Sequence, residues 1–158
     1  AQSLTDTKIL NEEYRVVKLV GVEEKLHKTA YSRQRIFVFG SNLAGDHDGG
    51  AAAYAVRMFG AQQGVGEGMT GRAYALPTCS VPGVPLPLEV VNGHMNKFIK
   101  FATDNPTMDF LLTAVGCGIA GFKIDQIANM LVHLPDNVYI QSKLAYGFVD
   151  LKLAFDSY

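Results

Sequence analysis

The sequence predicts an α/β domain around a mixed, mostly parallel central sheet, and three observations carry that expectation. Short apolar runs alternate along the chain with segments of helical spacing. Two of the runs, "RIFVFG" (35–40) and "DFLLTAVG" (109–116), are almost continuously apolar, as strands covered on both faces of a parallel sheet are. Each of those two is followed by a glycine-rich loop and then a helix-like stretch. The 158 residues fit one domain with a proper core, expected over about residues 14–142, with the terminal segments as extensions.

The elements follow in order. "YRVVKLVG" (14–21) is rich in β-branched residues and reads as a strand, and 35–40 as a stronger one. "GGAAAYAVRMFG" (49–60) has helical composition, with Gly60 placed as its stop. "GVGEGMTGR" (64–72) reads either as a flexible lid on a pocket rim or as a tight crossing, with Tyr74, Pro77 and Thr78 expected along the pocket wall. "RAYALPT" (72–78) is expected to be a short strand stopped by Pro77, and "SVPGVPLP" (80–87), with three prolines, an irregular loop. In "LEVVNGHMNKFIKFATDN" (88–105), Val91, Met95, Phe98, Ile99 and Ala102 recur at three- and four-residue steps, so this segment is an amphipathic helix. Residues 109–116 form a second buried strand, "KIDQIANMLVHL" (123–134) a helix and "NVYIQS" (137–142) a last strand.

Composition excludes several function classes. Fourteen basic and fifteen acidic residues, with no basic stripe or arm, disfavour binding to duplex nucleic acid. Cys79 and Cys117 lie far apart, without the spacing of a zinc site or of a disulfide framework, so no metal is expected. No apolar run reaches the roughly 18 residues that span a bilayer. "AQSLTDTKILNEEYR" lacks the basic and apolar regions of a signal peptide. The expectation is therefore a cytoplasmic protein with no membrane partner and no cofactor.

The chemistry-bearing signal is the pair of strand–glycine loop–helix segments, 36–56 and 111–131. In open α/β sheets such loops gather beyond the carboxyl ends of the strands. Glycine lets the backbone approach a ligand, and a helix N-terminus offers unpaired N–H groups suited to phosphate. Lying side by side, the two loops would hold a diphosphate. Gly116, Gly118 and Gly121 spell G-x-G-x-x-G, but a dehydrogenase carries that fingerprint in its first βαβ unit, with an acidic residue about 20 positions on. Here the motif comes late and Asp136 lies before the last strand, so a dinucleotide-binding dehydrogenase fold is disfavoured.

"IFVFGSNLAGDHDGGAAAYAVRMFGA", "GVGEGMTGRAYALPT" and "VGCGIAGFKIDQIANML" together resemble the macro-domain superfamily of ADP-ribose-binding modules, and more closely a bacterial and bacteriophage branch of it, over about residues 36–133. The resemblance implies a three-layer α/β/α sandwich. It implies that Gly40, Ser41 and Asn42 end a strand at the site, with Asn42 facing the distal ribose and Gly45, Gly49 and Gly50 wrapping that ribose and its phosphate. Gly116, Cys117, Gly118, Ile119, Ala120 and Gly121 would cradle the diphosphate, Phe122 would cover the ribose, and Thr78 would line the wall. Two departures stand out: "VGVEE" (20–24) lacks the aspartate that holds adenine in the family, and "AYALPT" replaces a His-x-x-x-Pro strand. The ligand implied is accordingly ADP-ribose or a relative of it.

Whether such a protein also cuts its ligand stays open on the sequence. Asn42 would orient substrate, and Asp46, His47 or Asp48 would activate water; each also has an ordinary reading as a turn or loop residue. Cys117, ahead of a helix, could be a thiol activated by the helix dipole or a small packed side chain. His27, His94 and His133 are expected to do no chemistry. The alternative function is a phage or bacterial accessory protein that acts through a host protein partner, its pocket vestigial.

Overall fold

The computed structural model describes residues 34–145, so the strand expected at 14–21 and both terminal extensions lie outside the described residues. Strand β1 (Gln34–Asn42) is the centre of the sheet. Its alternate residues face opposite sides: Ile36 and Val38 enter one apolar cluster, Phe37 and Phe39 the other, and all four are buried. A strand covered on both faces has no polar face to show, which is why this run is almost uniformly apolar.

Strand β3 (Ala73–Val81) runs parallel to β1 on one side and β5 (Met108–Leu112) parallel on the other, with β6 (Val138–Ile140) parallel beyond β5. Two short strands, β2 (Gly68–Thr70) and β4 (Val84–Pro85), pair antiparallel along the outer edge of β3, giving the order β2-β3-β1-β5-β6. The result is a mixed, mostly parallel sheet with helices packed on it.

Helix α1 (Gly50–Phe59) covers the Phe37/Phe39 face. Ala52 and Ala55 are its buried contacts, small enough to bring the helix close, and Gly60 ends it in the left-handed conformation (φ 72°), as expected. Helix α2 (Leu88–Asp104) lies on the opposite face, burying Val91, Met95, Phe98 and Ala102. Phe98 anchors that face edge-on between Tyr74 (centroids 5.1 Å apart) and Phe110 (5.5 Å). Asn137 Nδ2 donates to the carbonyls of Ala102, Asn105 and Met108, tying the end of α2 to the start of β5.

Several expected boundaries move. Pro77 does not stop its strand; β3 continues to Val81. Pro77 falls between the stretch paired with β2 (73–75) and the stretch paired with β4 (from Cys79), so that edge asks no N–H of it. The proline-rich segment 80–87 is a tight hairpin, not an irregular loop: Val81 pairs with Val84 across Pro82–Gly83, with Gly83 at φ 81°. Segment 64–72 takes the crossing form. A Cβ on Gly66 would stand 2.6 Å from the Asn42 carbonyl oxygen, and one on Gly71 2.4 Å from that of Gly60.

Two further elements are shorter than expected. Strand β5 ends at Leu112, where the chain turns into the second glycine loop. Helix α3 (Ile124–Ala128) ends well before residue 134, because Met130 and Leu131 donate to Ile127 and Ala128, a tighter i→i−3 pattern that turns both side chains into the core. The four-residue helix α4 (Ser142–Ala145) follows β6. Among the described residues no helix is long and apolar enough to cross a membrane.

Candidate functional site

The parallel strands β1, β3, β5 and β6 all deliver their carboxyl ends to one side of the sheet, and a cavity of about 340 Å³ opens there. Its wall takes Gly40–Asn42 from the end of β1, Thr78 and Cys79 from β3, 113–120 from the loop after β5, and Gln141 and Lys143 from beyond β6. The two glycine-rich loops, separated by some seventy residues of sequence, border the same space, a placement that sequence pattern predicts only through the rule for open α/β sheets.

The first loop is held by its own side chains. Asn42 Nδ2 donates to the Asp46 carbonyl (2.8 Å), while Asn42 Oδ1 accepts from the Asp46 N–H (3.1 Å). One amide thus holds both backbone polar groups of Asp46 across a five-residue turn, and Asn42 also lines the cavity. Gln63 clamps the next residue: its Oε1 accepts from the His47 N–H (2.8 Å), and its Nε2 donates to the His47 carbonyl (3.2 Å). Ser41 Oγ donates to the Gly66 carbonyl (2.6 Å), fixing the loop to the crossing segment.

Asp46 and Asp48 are both exposed and both line the cavity. A hydrogen bond to Asp48 holds the Asp46 carboxyl above its ordinary range, with desolvation and the Asp48 charge adding to the shift. His47, placed between them in sequence, is not at the cavity. It is 1 % exposed, edge-on to Phe39 at 5.1 Å, and Nε2 donates to the Val65 carbonyl (2.8 Å). Its Nδ1 is buried without a hydrogen-bond partner among the described residues. The geometry makes His47 a packing residue beneath the loop, with Asp46 and Asp48 at the cavity and the imidazole held between Phe39 and the Val65 carbonyl.

Behind this loop, helix α1 starts uncapped. Gly49 has no side chain to cap it, and the first intrahelical bond is Ala53 N–H to the Gly49 carbonyl. The N–H groups of Gly50, Ala51 and Ala52 therefore have no acceptor among the described residues, and all three residues line the cavity. The second loop repeats the theme. Gly116 (φ 77°) begins the turn and Phe122 N–H closes it on the Gly116 carbonyl (2.9 Å). Between them the N–H groups of Gly118, Ile119 and Ala120 donate to no acceptor among the described residues. Ile119 is 78 % exposed at the tip, on the cavity wall.

Three residues expected at the ligand are not on the wall. Gly45 packs backbone to backbone on Gly64, where a Cβ would stand 2.4 Å from the Gly64 carbonyl carbon. Phe122 folds back against the main core beside Gly116, and Gly121 sits at its side. Tyr74, expected on the wall, is instead in the core against Phe98, its hydroxyl pushed up to about 12 chiefly by burial. Pro77 and segment 64–72 are likewise off the wall, whereas Thr78 is on it.

Cys117 lines the cavity, but its thiol is pushed up to about 11 by burial, with the Lys143 charge opposing the shift. The Cys117 thiol donates to the Val115 carbonyl (3.6 Å), and helix α3 begins at Ile124. Cys79, on the wall from β3, is buried. No group of three or more His, Cys, Asp or Glu among the described residues is arranged to hold a metal ion.

Sequence reading missed Gln141 and Lys143, which lie beyond the segment of family resemblance. Gln141 accepts from the Ala114 N–H through Oε1 (2.9 Å) and so pins the start of the second loop. It also missed the pairing of Glu67, in the crossing segment, with His94 on α2, with Lys97 3.7 Å from the same carboxylate. Compared with known proteins, the chain matches no protein-family model and no curated protein.

Proposed function

We propose that the cavity binds ADP-ribose or a closely related nucleotide diphosphate, in a macro-domain-like three-layer α/β/α sandwich acting in the cytoplasm. The observation that carries this reading is the pair of N–H sets without acceptors, Gly50–Ala52 and Gly118–Ala120, bordering one cavity. Backbone N–H groups left unpaired cost free energy unless water or a ligand accepts from them, and phosphate oxygens are strong, negatively charged acceptors. The volume lies within the roughly 300–1,000 Å³ usual for small-molecule pockets. Asp46 and Asp48, exposed at the lip, are placed to accept from sugar hydroxyls or to take a proton from a water, so hydrolysis of an ADP-ribose linkage falls to this pair and not to His47.

Calorimetric titration with ADP-ribose, and with AMP, ADP and NAD alongside, tests the reading. ADP-ribose is expected to bind, and the Gly118→Val variant to weaken it without unfolding, since nothing lies within 4 Å of a Cβ built there. Incubation with an ADP-ribosylated substrate then separates hydrolase from binding module. No heat with any of the four, from folded protein, would leave the pocket vestigial and turn the search to a protein partner.

A further inference from the structure

We infer that Lys143 is an anion-binding residue of this cavity and sets the direction in which a phosphate-bearing ligand lies. The inference rests on the reading of the cavity as a nucleotide-diphosphate site and extends it to a residue outside the family resemblance.

Among the described residues, the charged ones on the cavity wall are Asp46, Asp48 and Lys143. The strand order places their loops side by side: the aspartates follow β1, the Gly116–Ala120 loop follows β5, and Lys143 follows β6. The second glycine loop thus stands between an acidic lip and a basic one. A diphosphate accepted by Gly118, Ile119 and Ala120 is repelled by the Asp46 and Asp48 carboxylates and attracted by the Lys143 ammonium. An uncharged, hydroxyl-rich group has the converse preference, because a carboxylate accepts hydrogen bonds and an ammonium only donates them.

Lys143 is held for this role by its neighbours. Gln141 N–H donates to the Leu112 carbonyl (2.9 Å), Leu144 N–H to the Gln141 carbonyl (3.0 Å), and the Leu144 side chain is fully buried. The backbone on both sides of Lys143 is therefore fixed while its side chain is exposed. Its charge already reaches the second loop, where it favours the thiolate of Cys117.

The test is titration of the full chain and of Lys143→Gln, Lys143→Arg and Lys100→Gln with ADP-ribose and, separately, with inorganic pyrophosphate, at low and high salt. Lys100, paired with Asp104 on α2, controls for the loss of one positive charge. Lys143→Gln is expected to bind both probes about tenfold more weakly and with less dependence on salt, while Lys143→Arg and Lys100→Gln stay near wild type. If the wild type binds ADP-ribose and Lys143→Gln binds it equally well, the role of Lys143 is overturned and the nucleotide reading stands. If pyrophosphate binds in a Lys143-dependent way and ADP-ribose does not, the role stands and the ADP-ribose reading falls. Failure of both probes with folded wild type overturns both.

Discussion

Replacing Asn42 with alanine separates what this side chain does for the loop from what it does for a ligand. The substitution removes both amide contacts with Asp46, at 2.8 and 3.1 Å, and leaves the Asp46 N–H and carbonyl without those partners. Each such bond contributes about 0.5–1.5 kcal/mol net, so two give about 1–3 kcal/mol. Asp46 is exposed, and water will re-solvate part of the loss, which puts the expected destabilisation at about 1–2 kcal/mol. For a chain of this size that lowers Tm by roughly 2–8 °C. Urea unfolding followed by circular dichroism, with an unchanged m-value, measures it. A midpoint equal to wild type would refute the reasoning, because the turn would then be held by Gln63 and the backbone alone. ADP-ribose affinity measured on the same variant then reports the remainder of the role of Asn42.

Three other outcomes are expected. Gly116→Ala should cost about 1–3 kcal/mol in thermal unfolding, because φ is 77° and the new Cβ would lie 3.0 Å from Phe122 Cδ2, whereas Gly118→Ala should stay within about 0.5 kcal/mol of wild type; equal effects would contradict the loop geometry. Cys117, with its thiol raised from 9.0 to about 11 by burial, should alkylate with iodoacetamide at pH 8 at least about tenfold more slowly than free cysteine, read by mass spectrometry. Since the folded value is the higher one, the stabilisation is complete below pH 9 and is lost as pH rises toward 11. A double-mutant cycle on Glu67→Gln and His94→Ala should show roughly 0.5–1 kcal/mol of coupling in urea unfolding at neutral pH, and none if the pair does not tie the crossing segment to α2.

The sequence by itself determined the class of the fold and the identity of the two loops. Buried strands such as β1 carry their signature in consecutive residues, and so does the amphipathic spacing of α2, because both depend on local periodicity. Glycine at 60 and 116 was likewise legible, since a positive φ restricts the residue that occupies the turn. Tertiary structure decided everything that depends on what stands opposite. Pro77 could remain inside β3 only because neighbouring strands leave a gap on its edge, which no local pattern records. His47 faced the core while its neighbours Asp46 and Asp48 faced the cavity, because packing against Phe39 and Val65 chose the inward side. Lys143 and Gln141 reached the wall through the parallel pairing of β6 with β5, a long-range contact invisible in a four-residue helix read alone. Local chemistry fixes which loops can accept a phosphate, while the sheet order fixes which charges surround them.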